Sequence, residues 1–220
     1  MEQVPGFLIS PAIFLAIFTF LKISYPKGDF QLLFKAFFWG VLMVVPVILA
    51  DQAAHYLNID GARSIRWMIV YAFIVVAFTY ELSIFLPLRL SLYKRKHFKG
   101  PSDGIIYSVA IAMGLTSIYA IYYTLFCETA GLSAIYFWSM GPVNAAIAVI
   151  LGFFTGLGKI RKNQLIDSMT GLGAAMLFLG IYRFALLSSE IVLLTLFVVV
   201  SVFIAIGMIF KSLKITSESE

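Results

Sequence analysis

Residues Trp67 to Leu88 read WMIVYAFIVVAFTYELSIFLPL, an apolar run interrupted by a single carboxylate, Glu81. At ~1.5 Å per residue a helix of this length reaches roughly 33 Å, enough to cross the ~30 Å hydrocarbon layer of a bilayer. An ionisable group at that depth costs on the order of 3 kcal/mol even on lenient insertion scales, so Glu81 is expected to face protein or water and to have a task there. Beyond it comes the densest positive run in the chain, Lys94, Arg95, Lys96 and Lys99, then Asp103 and a second apolar run, DGIIYSVAIAMGLTSIYAIYYTLF, ending at Phe126. Along the chain the order is acid, basic turn, tyrosine-lined helix.

Composition sets the class. Hydrophobic residues make up 61% of the chain and charged residues 12%, with a mean hydropathy of +0.98, whereas a soluble domain carries about a quarter charged residues. The expected fold is all-α, a polytopic membrane helix bundle in one domain over residues 1–220. The net charge of +5 does not point to nucleic acid, because the lysines and arginines sit in short turns between apolar runs, where they set topology. The single cysteine, Cys127, excludes an intramolecular disulfide and a cysteine-cluster metal site.

Seven spans are expected, at about 6–25, 31–53, 67–88, 103–126, 133–158, 166–187 and 191–210, followed by a polar tail at 211–220. The first has no basic residue before it and no small-residue cleavage site after it, so it reads as a retained helix. Pro46 predicts a kink in the second. His55 and His97 fall in polar loops and read as solvated. Thr116, Tyr119, Tyr122 and Tyr123 share one side of the fourth helix by their spacing. In the fifth, Gly152 and Gly156 of GFFTG predict close approach of a neighbouring helix. Asn144 reads either as polar glue between helices or as a site residue.

Thirteen of the sixteen lysines and arginines lie in or beside the turns after spans one, three and five, or in the tail. Arg63, Arg66 and Arg183 lie toward the other side, with Asp51, Asp60, Glu128 and Glu190. The positive-inside rule then predicts an external N-terminus and a cytoplasmic C-terminus.

The run from Tyr80 to Tyr123, with PAIFLAIF and AFFWGVLMVVPVILAD before it, resembles the PrsW-type intramembrane proteases, glutamic-type or metal-dependent enzymes. The resemblance extends over roughly Pro11 to Leu187. That family carries EExxK in its third helix, where this chain reads YELSI: Tyr80 stands for the first glutamate, Glu81 for the second and Ile84 for the lysine. A later family glutamate falls at Tyr119, a histidine eight residues before a glycine at Asn144, and the histidine of an HGIYNF-like pattern at Leu179 of LGIYRF, with Arg183 close behind. Gly104, Tyr107, Gly152, Gly180 and Tyr182 keep the framework spacing.

The resemblance therefore implies the family's frame with most of its reactive side chains replaced. Hydrolysis of a peptide bond needs a base to activate water and a group to stabilise the oxyanion; Glu81 could serve as the base, but no metal site and no cofactor are expected. Three functions compete. The first is a degenerate, PrsW-like protein that binds or shields a membrane segment as adaptor or regulator, its partners being membrane lipid and a single-pass protein or peptide. Another is an active intramembrane endopeptidase using Glu81. The third is a small transporter or sensor with a polar path at Glu81 and Arg183. The resemblance implies a bacterial cytoplasmic membrane. Glu81 itself is expected as a hydrogen-bonded acid, with Tyr119 and Asn144 its leading partners, and Arg183 is expected to pair elsewhere or to reach the outer headgroups.

Overall fold

The structure is a computed structural model that describes residues 8–24, 30–59, 64–126, 134–161, 163–188 and 190–217. Asp60, Arg63, Cys127, Glu128 and Lys162, used above to assign sides and exclude sites, lie outside the described residues. No strand occurs among those described, and the helices are α1 (Ile9–Ser24), α2 (Phe30–Tyr56, interrupted at Met43), α3 (Ile65–Leu92), α4 (Pro101–Phe126), α5 (Ala134–Ile160), α6 (Gln164–Leu187) and α7 (Ile191–Ser217). Six of them, α2 to α7, are long and apolar enough to cross a bilayer, while the described apolar part of α1 is the shorter Ile9–Thr19. The chain is a polytopic membrane helix bundle.

Helix α4 is the axis. Within its apolar window 83% of residues are buried, against 22% for α7, so α4 packs against protein on nearly all sides while α7 turns most of itself to lipid. Small residues permit this. A Cβ on Gly104 or Gly152 would fall on the other's carbonyl oxygen, and one on Gly156 would lie 2.5 Å from Gly100 O, so α4 and α5 touch backbone to backbone. On the other side of α4, a Cβ on Gly114 would strike Phe37 O and one on Gly40 would strike Ile111 O. Ser108 donates to Ala148 O at 2.7 Å across the α4–α5 contact, a polar tie that only so close an approach allows.

Outward faces carry the lipid-facing side chains, among them Phe38, Leu49, Leu177 and Phe203. Pro46 acts one turn upstream of itself: the helix breaks at Met43, close to the Leu42 carbonyl that Pro46, lacking an N–H, leaves without its helical donor. Helix α3 departs from α geometry twice, with five-residue hydrogen-bonded turns over Tyr71–Phe78 and Leu88–Leu92 on either side of the regular segment Thr79–Pro87. Thr79 donates its hydroxyl to the Val75 carbonyl and Pro87 has no N–H to give, two known causes of such widening.

Two helix ends differ from expectation. Helix α2 runs to Tyr56, which puts Asp51 inside the helix and His55 on its last turn, exposed, rather than in a loop. At the other end α7 runs to Ser217, so the first seven residues of the expected tail are helical. They stay helical because Ser212 is buried and Thr216 lies 2.8 Å from Ser102 at the start of α4.

Candidate functional site

All seven positions singled out on the sequence, Tyr80, Glu81, Ile84, Tyr119, Asn144, Leu179 and Arg183, are buried. Three of them, Tyr80, Tyr119 and Asn144, meet around Thr116 on the inner face of α4, and Arg183 joins through Tyr119. Asn144 of α5 donates its amide to the Tyr80 hydroxyl at 2.8 Å and to Thr116 Oγ1 at 3.2 Å. Thr116 in turn donates to Ala112 O at 2.7 Å. Since a hydroxyl has one proton, Thr116 has none left for Tyr80, so in their short mutual bond Tyr80 is the donor. Protons thus point one way, from Asn144 through Tyr80 and Thr116 into the backbone of α4. The Tyr119 ring stands edge-on to Tyr80 with centroids 6.3 Å apart, and the Arg183 guanidinium lies 5.7 Å from the Tyr119 ring centre.

Glu81 stands apart from this chain of bonds. It is 1% exposed, and its Oε2 and the Oδ1 of Asn144 are buried without a hydrogen-bond partner. The expectation that Asn144 and Tyr119 hold the carboxyl is therefore corrected: both amide N–H groups of Asn144 are taken by Tyr80 and Thr116, while Tyr119 packs against rings and beneath Arg183. Arg183 does not reach the headgroups either. At 6% exposure it is buried, because α6 packs on α3 closely enough for a Cβ on Gly180 to overlap the Phe73 ring. Ile84 and Leu179 are fully buried apolar side chains of the core.

A second polar cluster went unforeseen. Asp51 is 3% exposed; one of its carboxylate oxygens accepts from the Tyr71 hydroxyl in a short bond and the other accepts from Tyr123 at 2.8 Å. Nearby Gln52 donates to the Tyr122 hydroxyl at 3.0 Å. Rings link the two clusters, since Tyr119 and Tyr123 are 4.9 Å apart. The signal was the one that drew attention to Glu81, a carboxylate in an apolar run, but Asp51 sat two residues from the expected helix end, where an acid is ordinary.

A bundle of membrane-crossing helices with two buried carboxyls and a tyrosine-rich centre defines an integral membrane protein with a polar interior. The family model described as "PrsW family intramembrane metalloprotease" matches residues 28–208, and this chain belongs to that family. It is similar to Protease PrsW of Bacillus subtilis (strain 168), 26% identical over 158 residues that cover 71% of this chain and 69% of that protein. It is also similar to Protease PrsW of Geobacillus kaustophilus (strain HTA426), 25% identical over 185 residues, covering 83% and 79%, and to that of Clostridioides difficile (strain 630), 28% identical over 151 residues, covering 65% and 60%. No solved structure matches. These bacterial relatives and the apolar helices together place the protein in the bacterial cytoplasmic membrane.

The family description implies a metal, and the donors here do not fit one. Among the described residues no three of His, Cys, Asp and Glu come together. Where the resemblance puts histidines there are Asn144 and Leu179, both oxygens of Asp51 already accept from tyrosines, and His55 and His97 are exposed. A hydrolytic zinc needs three protein ligands and an open position, so no step is derived through a metal.

Proposed function

We propose that this chain is a degenerate member of the PrsW family that binds or shields a membrane-embedded segment, as an adaptor or regulator does, and does not cut it. The observation that supports this reading is the direction of the protons at Tyr80, Thr116 and Asn144. An oxyanion needs donors aimed at open space, and here both amide N–H groups of Asn144 and the hydroxyl protons of Tyr80 and Thr116 are spent inside the protein, the last on Ala112 O. The partner in this reading is a single-pass membrane protein or peptide, and the N-terminus is outside with the basic turns in the cytoplasm. The test is to incubate purified protein with fluorescent transmembrane peptides and score binding and cleavage separately. Retention of a peptide without cleavage is expected; cleavage abolished by Glu81→Gln would overturn the proposal.

One observation favours a second reading, an endopeptidase with Glu81 as base: its Oε2 is buried and has no hydrogen-bond partner, so it is not committed to holding the fold. The same experiment decides between the two.

A further inference from the structure

At the basic end of the bundle two cations converge on one tyrosine. The five-residue turn at Leu88–Leu92 closes with the Tyr93 N–H on Leu88 O at 2.8 Å. It stacks the Arg89 guanidinium over the Tyr93 ring, 3.9 Å from its centre. From α5, Lys159 places its ammonium 4.7 Å from the same centre and donates to Tyr93 O at 2.9 Å. The glycine contact delivers that lysine, since the approach of Gly156 to Gly100 brings the last turn of α5 against the loop before α4.

Among the described residues the two cations lack an acidic counterpart. Of the described carboxylates at this end, Asp103 accepts from the backbone N–H of Lys99 at 2.7 Å and Asp167 lies 3.7 Å from Arg161. Arg89 Nη1 and the Tyr93 hydroxyl are both buried without a hydrogen-bond partner, although Tyr93 as a whole is only 5% exposed. Lys159 has spent one of its three donors. Two like charges held beside one ring, with unspent donors among them, repel each other until an anion sits between them.

We infer that Arg89, Tyr93 and Lys159 form a binding site for the phosphate of an anionic phospholipid. The chemistry fits a phosphodiester: Arg offers planar paired donors, Lys a point charge and Tyr a neutral donor. The site lies where α3 and α5 end, at the level of the headgroups, and basic pockets between membrane helices are suited to such lipids. Lys94, Arg95 and Lys96, by contrast, are exposed and stand outside this site.

The test uses full-length protein, delipidated in detergent, with phosphatidylglycerol, phosphatidylcholine or inorganic phosphate added. Native mass spectrometry and thermal unfolding are read together. Expected is one retained phosphatidylglycerol with a raised melting temperature, and neither effect with phosphatidylcholine. Arg89→Gln with Lys159→Gln should cut retention roughly thirty-fold, whereas Lys94→Gln with Lys96→Gln leaves it unchanged. Tyr93→Phe, which keeps the ring that carries both cations, should fold normally and weaken retention by a smaller factor; it serves if the double variant does not fold. Equal retention by wild type, the Arg89/Lys159 variant and Tyr93→Phe would overturn the assignment. So would protection by inorganic phosphate with no lipid retained.

Discussion

Glu81 and Asp51 are both buried acids, and they should respond to substitution in opposite directions. Asp51 accepts from two tyrosine hydroxyls, so Asp51→Ala takes this acceptor from the buried Tyr71 and the half-buried Tyr123 and should cost about 2 to 4 kcal/mol. Glu81 Oε2 has no partner to lose. Glu81→Gln should therefore stay near wild-type stability, and Glu81→Leu should be stabilising by about 1 to 2 kcal/mol, because it removes a polar group that burial penalises. Equilibrium unfolding in mixed micelles measures all three. A loss on Glu81→Leu comparable to that of Asp51→Ala would show that the Glu81 carboxyl is held after all. Glu81 was legible because it stands alone in the middle of a long apolar run. The wiring around it was not, since the spacing that puts Thr116 and Tyr119 on one face does not say which proton goes where. That depended on Thr116 spending its proton on Ala112, a bond within its own helix.

Helix contacts carry the next prediction. Gly104→Ala and Gly152→Ala each push a methyl into a backbone carbonyl, so each should destabilise by about 2 to 3 kcal/mol through forced separation of α4 and α5. Gly207→Ala meets nothing within 4 Å and should stabilise by about 0.5 to 1 kcal/mol through helix propensity alone. Thermal unfolding of the three variants side by side checks the sign. The spacing in GFFTG was enough to predict a close approach, but it could not name the partner. Gly40 and Gly114 follow no such spacing and were silent on the sequence, although they seat α2 on α4 by the same means. Helix existence and order were readable from apolar runs. The ends were not, because Ser212 looks like a loop residue until its partner Ser102 is placed beside it.

For the whole molecule the expected topology gives a direct assay. In a Cys127→Ser background, cysteines placed in the Lys94–Lys99 loop or at Lys159 should be shielded from an impermeant thiol reagent in intact cells, and one at position 60 should react. Labelling of the basic turns from outside would reverse the proposed orientation. Metal content is a second whole-protein test: purified chain should carry well under one zinc per molecule and keep its melting temperature in chelator, whereas tightly held stoichiometric zinc would mean that the chain does assemble a metal site. The burial of α4 also has a consequence for how the protein is made. Ribosomes deliver α2 and α3 before α4, so the Gly40–Gly114 seam can close as soon as α4 enters the membrane, while the face bearing Gly104 and Ser108 must wait for α5. During that interval the Ser108 hydroxyl still has the Ile105 carbonyl of its own helix, 3.0 Å away, as an acceptor. The nascent chain can therefore pause half-assembled in lipid without an unsatisfied proton on that face, and translation speed between residues 126 and 152 need not be matched to folding.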